Sequence, residues 1–408
     1  MNGIDVIGVP AEGPGVLAEP ERAVLAAAEL IVGSPRLTGL LAELPSDARP
    51  TADRADLPSP LRPGMQRLLS EHAGRRVVVL ASGDPLVAGV GSTLIDLFGA
   101  DRVRIHPAVS SVALARARMG WSAEECQVIR IEAGTRLAAA LHPGARLILL
   151  SRDRNSPRAV AEELVDAGFG PSRMTLLADL GSASEQRIDR TASDWQLADV
   201  PRLQLVCVDC AAGPVDVADT ASWSRTPGLP DDAFEHDGQL SKRFQRAAAL
   251  VALRPRPGEL LIDLGAGAGS VAIEWCRQHP RNRVVAVEHN EERAARIRRN
   301  AARLGADRIE IRVGENGDVL GSLARPDAIF VGGGLTVQLI EYGLAVLPRH
   351  GRLVAHAVTI ESEMILYEAA RRHGGELTRI GVETLEPIGR LQGFKPARRV
   401  TQWAIVKG

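Results

Sequence analysis

A glycine-rich turn between an apolar strand and a helix is the feature of this sequence that most restricts its fold. Residues 259–264 predict a strand bounded by Pro257 and Gly258, and residues 271–277 have helical spacing. Between them, residues 263–269 carry three glycines, which let the backbone turn tightly and approach a ligand closely. Because a helix N-terminus favours an anionic group, the segment predicts a ligand site at a strand–turn–helix junction.

The spacing of these glycines separates two cofactor classes. The third glycine falls one residue before the position, Ser270, that a dinucleotide fingerprint requires. Acidic residues precede the turn, at Asp263, and end the next predicted strand, at Glu288, where a carboxylate can accept both hydroxyls of a ribose. The pattern favours S-adenosylmethionine over NAD, and the alternative is a structural turn that binds nothing. The predicted cofactor ligands here are Asp263, Gly265, Ala266, Gly267, Ala268, Gly269 and Glu288.

Composition limits the remaining function classes. The chain has 408 residues, 45% hydrophobic and 24% charged, which excludes a disordered or fibrous protein. Its 49 Lys and Arg balance 50 Asp and Glu, so an electrostatic nucleic-acid binder is disfavoured. No apolar run reaches the roughly 20 residues of a membrane span, and the first residues do not resemble a signal peptide. Four cysteines form no disulfide framework, which predicts a cytoplasmic protein.

The chain divides at a segment rich in small residues and proline, 211–230. Apolar runs and helical patterns alternate on both sides of it, which is typical of an α/β architecture. We therefore expect domains at 1–212 and 231–408, joined by a linker at 213–230. In the C-terminal half the rhythm predicts a doubly wound, mostly parallel sheet with strands at 259–264, 284–288, 309–313, 328–331 and 352–358, and two late candidates at 377–382 and 402–406. In the N-terminal half we expect strands at 5–9, 77–80, 147–150 and 203–208 and helices at 21–30, 110–119 and 158–167.

The C-terminal half, from about Leu229 to the end, resembles the C15-methylating, decarboxylating enzymes of cobalamin biosynthesis. The segments that carry the resemblance are residues 230–243, 263–269, 331–334 and 353–359. It implies a Rossmann-like class I methyltransferase fold, with the hydroxyl of Ser241 near S-adenosylmethionine and with Gly314 and Gly333 in the same site. The family commonly has Glu and Val where this chain has Phe244 and Gln245, so the helix face is altered there.

The N-terminal half resembles the tetrapyrrole methylases, especially those that act at C5 of the same intermediate. The segments concerned are residues 6–10, 13–15, 81–85, 106–111 and 150–167. The resemblance implies a bilobed fold with a second S-adenosylmethionine site at Pro10, Gly83, Asp84, Pro85, Ser110 and Ser111. The family often carries a His-Gly-Arg run near residues 131–134, which this chain lacks.

Together the two resemblances imply a bifunctional enzyme of corrin ring biosynthesis that methylates C5 and C15 of one precorrin macrocycle and decarboxylates its C12 acetate. They also imply a homo-oligomer, with no nucleic-acid or membrane partner. The candidate general acids near the glycine turn are His236, Asp232 and Lys242. The alternative is that these residues cap helices or lie on the surface. Lys242 has the better case, because its positive charge suits a substrate with many carboxylates. His356 is more simply a packed core residue.

Three further interpretations stay open at this level. A class I core also serves RNA methyltransferases, although the 3% aromatic content and balanced charge disfavour one, and the turn could belong to a non-catalytic S-adenosylmethionine-binding regulator. Cys207 and Cys210 could bind zinc or act in redox chemistry, but buried strand cysteines are the simpler account, and we expect no metal. The arginines of residues 293–303 stand among acids and amides, which indicates a solvated helix face.

Overall fold

The computed structural model describes residues 3–197, 199–214, 223–321 and 324–408. It separates into two compact units, one formed by Met1–Ala133 and His142–Gly213 and the other by Gly134–Leu141 and Pro214–Gly408. The functional domain boundaries expected from the sequence stay predictions. Within the described part of the chain, no helix is both long and apolar enough to cross a bilayer.

The first unit contains two five-stranded sheets. Its strands are β1 (Ile4–Val9), β2 (Leu30–Gly33), β3 (Asp53–Asp56), β4 (Val77–Ser82), β5 (Val103–His106), β6 (Gln127–Arg130), β7 (Arg146–Leu150), β8 (Arg173–Ala178), β9 (Gln186–Thr191) and β10 (Gln204–Asp209). Its helices are α1 (Glu19–Ala26), α2 (Pro35–Leu40), α3 (Leu61–Glu71), α4 (Val90–Phe98), α5 (Ser111–Met119) and α6 (Ser156–Asp166). The first sheet is parallel in the order β3-β2-β4-β1-β5, and the second is mixed in the order β6-β7-β10-β8-β9. Two sheets in one unit agree with the expected bilobed fold.

The parallel sheet of the first unit is covered on both faces. Val77 and Val79 of β4 pack into one apolar cluster, whereas Val78 and Leu80 pack into another on the opposite face. A strand buried on both faces is a continuous apolar run rather than an alternating one. That explains why β4 could be recognised from the sequence within two residues.

The second unit is built on a seven-stranded sheet in the order β13-β12-β11-β14-β15-β19-β16. Its strands are β11 (Leu260–Leu264), β12 (Arg283–Glu288), β13 (Ile309–Val313), β14 (Ala328–Val331), β15 (Arg352–Ala357), β16 (Glu376–Ile380), β17 (Glu383–Ile388), β18 (Leu391–Pro396) and β19 (Val400–Val406). Its helices are α7 (Arg243–Leu253), α8 (Ser270–Gln278), α9 (Glu291–Arg303), α10 (Asn316–Leu320), α11 (Val337–Val346) and α12 (Ile360–His373). The strands β11 to β15 are parallel, and β19 runs antiparallel to both of its neighbours, β15 and β16, so β16 has the same direction as β11 to β15. This arrangement confirms the doubly wound α/β fold.

One predicted helix of the first unit was wrong at its end. We expected a helix at 21–30, but α1 ends at Ala26 and Leu30 begins β2. Leu30 pairs with Val77 of β4 and is fully buried. Pairing with a strand almost fifty residues away outweighs the local helical pattern, which a single sequence does not reveal.

Candidate active site: ligand loops at the carboxyl ends of two parallel sheets

The three glycines of the turn after β11 are each required, for different reasons. Gly265, Gly267 and Gly269 all have positive φ, at 68°, 61° and 76°. A Cβ atom on Gly265 would lie 2.7 Å from the backbone of Gly333, and one on Gly269 would lie 2.7 Å from the Ile297 side chain. At Gly267 the Cβ would lie 3.1 Å from the Gln239 carbonyl oxygen. Side chains at these positions would both strain the backbone and fill the space beside the turn.

Glu288 is held in a fixed orientation at the end of β12. Its Oε2 accepts a hydrogen bond from the Gly267 N–H at 2.8 Å, and its Oε1 accepts one from the Asn290 N–H at 3.0 Å. The side chain is only 2% exposed. Each carboxylate oxygen keeps a further lone pair, so the group can accept two ligand hydroxyls at the point where the turn and the strand end meet.

Asp263, in contrast, lies inside the sheet rather than in the open site. Its Oδ2 accepts a hydrogen bond from the Ala272 N–H at 3.1 Å, which ties β11 to the first turn of α8. Its Oδ1 has no hydrogen-bond partner among the described residues. Burial, with a smaller contribution from the charge of Glu288, raises the pKa of Asp263 to about 7.

A buried ion pair fixes the segment that leads into α7, residues 228–241. The Arg246 guanidinium is fully buried and donates to Glu274 Oε1 and to the Leu229 carbonyl oxygen. It also lies over the Phe234 ring, 4.7 Å from the ring centre. Glu274 in turn accepts the Gly228 N–H at 2.6 Å and the Leu229 N–H at 3.0 Å. One charge pair therefore holds the backbone of the lead-in segment against α7 and α8.

Helix α9 anchors the same segment from the other side. The amide of Asn300, which is fully buried, bonds to both backbone groups of Glu235, at 2.8 and 3.0 Å. Arg293 donates to Asp237 at 2.9 Å, and this hydrogen bond is the largest cause that lowers the pKa of Asp237 far below its usual range. The arginines expected on a solvated helix face thus serve in part to fix the backbone beside the glycine turn.

These elements enclose a cleft of about 720 Å³ along the carboxyl edge of the sheet. It is lined by eight residues predicted from the sequence: Ser241, Lys242, Gly265, Ala266, Gly267, Glu288, Gly314 and Gly333. Asp263, Ala268 and Gly269 support the turn from behind and do not line the cleft. Asp232 and His236 are exposed outside it, and His236 Nδ1 accepts a hydrogen bond from the Gly238 N–H at 3.1 Å.

Lys242 is placed at the mouth of this cleft. It is the N-terminal capping residue of α7, and its side chain is 51% exposed. Its Nζ lies 3.7 Å from Asp231 Oδ2, so the pair is a loose surface contact. Lys242 therefore keeps its charge available to a ligand in the cleft.

Sequence reasoning missed many cleft residues, including three with polar or charged side chains on α7, on β15 and after β18. His356 was expected to be a packed core residue; it is buried, and it lies edge-on to Phe330, but it also lines the cleft. Its Nε2 lies 2.9 Å from Gln402 Oε1, and burial lowers its pKa to about 4. Gln245 and the exposed Arg398 are the other two. No local signal could have found Arg398, because it lies in the connection between β18 and β19 and reaches the cleft only through the fold.

The first unit gathers its predicted ligand residues in the same way. Pro10, Gly83 and Ser110 follow the neighbouring strands β1, β4 and β5. The Gly83 N–H donates to the Val9 carbonyl oxygen at 2.9 Å, and a Cβ on Gly83 would lie 3.0 Å from the Val109 carbonyl oxygen. Asp84 and Pro85 continue the β4 loop, and Ser111 begins α5 behind the Ser110 cap.

The structure also bears on the alternative that Cys207 and Cys210 serve in redox chemistry or bind a metal ion. Cys207 and Cys210 are buried and free, and burial raises the pKa of each thiol to about 12, which keeps both as neutral thiols. Among the residues that the structure describes, no group of three or more His, Cys, Asp or Glu side chains is arranged to hold a metal ion.

The residues of the second-unit cleft fit S-adenosylmethionine. The glycine turn lets the backbone of residues 265–267 line the cleft directly, and the fixed Glu288 carboxylate lines the cleft beside it as a hydroxyl acceptor. A seven-stranded sheet with this strand order and this site defines the class of the protein: it is a methyltransferase that uses S-adenosylmethionine.

Comparison with known proteins narrows the class to one family. Residues 4–195 match the tetrapyrrole (corrin/porphyrin) methylases, and residues 232–407 match the precorrin methyltransferase domain. A precorrin-6Y C(5,15)-methyltransferase (decarboxylating) from Mycobacterium tuberculosis is 42% identical over 408 residues, covering 99% of this chain and 100% of that protein. The chain belongs to the precorrin-6Y C(5,15)-methyltransferase (decarboxylating) family.

Two further relatives cover the whole chain and its second unit. A protein of the same description from a Sinorhizobium species is 39% identical over 409 residues, covering 99% of this chain and 96% of that protein. The crystal structure of the C-terminal domain of a precorrin-6Y C5,15-methyltransferase from Rhodobacter capsulatus is 40% identical, with a TM-score of 0.43, and covers 45% of this chain and 100% of that one.

Proposed function

We propose that this chain methylates C5 and C15 of precorrin-6B and removes the carboxyl group of the C12 acetate as carbon dioxide, giving precorrin-8. The N-terminal domain would act at C5, and the C-terminal domain would act at C15 and decarboxylate. The observation that carries the proposal is the presence of two separate sets of ligand loops, each at the carboxyl edge of a parallel sheet, in a chain of this family. The RNA methyltransferase and the regulatory protein find no support in the family comparison.

For the C-terminal reaction, the proposed ligand set is Ser241, the turn residues 265–267, Glu288, Gly314 and Gly333. When bound, S-adenosylmethionine supplies an electrophilic methyl group, and the enamine-like meso carbon of the reduced tetrapyrrole supplies the nucleophile. The protein then acts mainly by positioning the two carbons and excluding water. Glu288, fixed by two backbone N–H groups, sets the position of the ribose without needing to reorganise. Asp263, Ala268 and Gly269 are proposed to support this site indirectly.

Decarboxylation requires that the electron pair of the broken C–C bond move into the protonated conjugated ring. The protein contribution that we propose is cationic: Lys242 and Arg398 line the cleft and can bind carboxylates of the macrocycle. His236 and Asp232 stay candidates for proton transfer, although their exposure and the hydrogen bond from Gly238 to His236 favour a structural role.

For the C5 reaction, we propose a second S-adenosylmethionine site at Pro10, Gly83, Asp84, Pro85, Ser110 and Ser111. The closeness of the Gly83 and Val109 backbones supports this placement, because glycine at position 83 lets the β4 and β5 loops approach each other without a side chain between them. We also propose that the chain acts in the cytoplasm and as a homo-oligomer.

The experiment is turnover of the full chain with S-adenosylmethionine and precorrin-6B, followed by mass spectrometry. The expected product has gained two methyl groups and lost one carbon dioxide. In Gly267→Val, the Cβ would press on the Gln239 carbonyl oxygen, and we expect C15 methylation to fall by about 100-fold or more while C5 methylation persists.

The matched control is Gly381→Val in the same unit, where the Cβ makes only ordinary contact with Arg399 at 3.8 Å. It should turn over like the wild-type chain. A wild-type chain that transfers no methyl group, or a Gly267→Val chain that retains full C15 activity, would contradict the proposal.

A further inference from the structure

The segment that follows β13, residues 314–316, is tied at both ends to other loops of the second unit. At its start, the Gly314 N–H donates to the Glu288 carbonyl oxygen at 3.2 Å, which joins the segment to the end of β12. Two residues further on, the side-chain Nδ2 of Asn316 donates to the Gly333 carbonyl oxygen at 3.0 Å. The segment therefore reaches from the end of β12 to the loop that follows β14.

The hydrogen bond of Asn316 connects two strands that are not neighbours in the sheet. The strand order places β12 and β11 between β13 and β14. At about 4.8 Å per strand, the two loops start about 14 Å apart. The chain passes beyond β11 here to form β14, and such a reversal of strand order leaves a crevice in which α/β proteins bind ligands. Asn316 borders this crevice, because it lines the cleft together with Gly314 and Gly333.

The residue after Gly333 leaves room for this hydrogen bond. Gly334 has a φ of 66°, and a Cβ atom there would lie 2.9 Å from Asn316 Nδ2. A side chain at position 334 would therefore displace the amide as well as strain the backbone. Glycine at this position keeps open the place that the Asn316 side chain occupies.

The neighbouring loops at the same edge are joined by backbone hydrogen bonds. The Gly265 N–H donates to the Val287 carbonyl oxygen at 3.0 Å, and the Gly332 N–H donates to the Leu264 carbonyl oxygen at 2.8 Å. The bond from the β13 segment to the β14 loop, in contrast, is made by the side chain of Asn316. A substitution can therefore remove this connection and leave the backbone bonds of the other loops in place.

We propose that Asn316 is a positioning residue for S-adenosylmethionine in the second unit, whose hydrogen bond to Gly333 sets the width of the cleft between the β13 segment and the β14 loop. This inference rests on the ligand set of the proposed function. Glu288 ends β12, which lies between β13 and β14, so a nucleoside held at Glu288 lies between the two loops that Asn316 joins. A cleft that already has its bound width loses no affinity to loop ordering when the ligand enters.

The test is Asn316→Ala in the full chain, which removes the hydrogen bond without adding a charge. Calorimetry with S-adenosylhomocysteine should show one site weakened about fivefold to tenfold, while the site of the N-terminal domain keeps its affinity. KM for S-adenosylmethionine should rise by the same factor in C15 methylation, with kcat within about twofold of wild type and C5 methylation unchanged. The melting temperature should fall by no more than about 2 °C, because Asn316 is partly exposed and loses a single bond.

Gly334→Ala offers a second route to the same loss, because its Cβ would displace the Asn316 amide. It should weaken the same site, and the double variant should bind no more weakly than the weaker single variant, since both changes remove one interaction. Gly389→Ala is the matched control. Gly389 has a similar φ of 62°, but a Cβ there would meet no atom of the described residues within 4 Å, so this variant should bind and turn over like wild type.

Unchanged S-adenosylhomocysteine affinity in Asn316→Ala overturns the inference, as do losses that add in the double variant or an equal loss at both sites. A wild-type chain that binds S-adenosylhomocysteine but does not methylate C15 contradicts the proposed function alone, because the calorimetric comparison still measures the contribution of Asn316.

Discussion

Asp263 is the residue whose environment differs most from what its place in the motif indicated. Its position before the turn predicted a cofactor ligand, but the carboxyl is 1% exposed inside the sheet and bonds to the N-terminal turn of α8. Its pKa of about 7 makes it a partly protonated group near neutral pH. We therefore assign it to the rigidity of the strand–turn–helix junction and propose no direct contact with the cofactor.

This assignment predicts a pH-dependent stability. Between about pH 4 and pH 7 the folded chain keeps a proton on Asp263 that the unfolded chain has released, since the folded pKa is raised to about 7. The free energy of unfolding should thus fall as pH rises through this window, by roughly 2–4 kcal/mol from this group. Asp263→Asn should lack that fall, as measured by urea unfolding at pH 4.5 and pH 7.5.

Comparing Asp263→Asn with wild type at each pH isolates the contribution of Asp263 to the free energy of unfolding. His356 acts in the opposite direction, because its folded pKa of about 4 lies below its unfolded value and stability from it is lost as pH falls from about 6.5. That contribution is common to both chains and cancels. Equal pH slopes in wild type and Asp263→Asn would refute the burial argument.

At the scale of elements, the Arg246–Glu274 pair connects α7, α8 and the lead-in segment. Glu274→Gln would leave the buried Arg246 charge with only the partly exposed Asp231 carboxylate, 3.3 Å away, and would weaken the bonds to Gly228 and Leu229. We expect a loss of about 3–5 kcal/mol in unfolding free energy, measured by urea titration. Glu310→Gln, which breaks the exposed pair with Arg312, should cost less than about 1 kcal/mol. Similar losses in the two variants would contradict the role given to the buried pair.

The β17–β18 hairpin is the element on which we place the proposed self-association. Leu385 pairs with Phe394 and Ile388 with Leu391 across the strands, and all four side chains are at least half exposed. A two-stranded ribbon with apolar side chains in water is at best marginally stable alone, so cover by a second copy accounts for it.

The double variant Leu391→Glu and Phe394→Glu should therefore sediment as a single chain, whereas we expect the wild type to sediment as an oligomer. The introduced carboxylates would be buried without partners in the interface, which disfavours it. Gln392→Glu on the same hairpin should leave the oligomer intact. Analytical ultracentrifugation measures all three, and a monomeric wild type would remove the proposal.

At the scale of the whole molecule, two ligand edges on one chain predict two cofactor sites that bind independently. Calorimetry with S-adenosylhomocysteine should give two sites per wild-type chain. Gly83→Val, whose Cβ would press on the Val109 carbonyl oxygen, and Gly267→Val should each reduce the number to one. The double variant should bind none. Loss of both sites from either single variant would show that the sites depend on each other.

Much of this architecture follows from local pattern. Apolar runs such as those of β4 and β11 predicted their strands within one or two residues, and the resemblance to two families predicted both folds. Short and amphipathic strands escaped notice, including β3, β9 and the β17–β18 hairpin, because few of their residues are buried. Their pairing is stabilised by neighbouring strands rather than by their own composition.

The sequence by itself determined the glycine turn, the acid at Glu288 and the loops at Gly83 and Ser110, because positive φ, close backbone approach and helix capping are needs of a few neighbouring residues. Only the tertiary structure decided which side chains share the cleft. It placed Asp263 behind the turn and brought His356, Gln245 and Arg398 to one cleft from three segments far apart in the chain. Burial and shared position depend on how the sheet and helices pack, and no single segment contains that information.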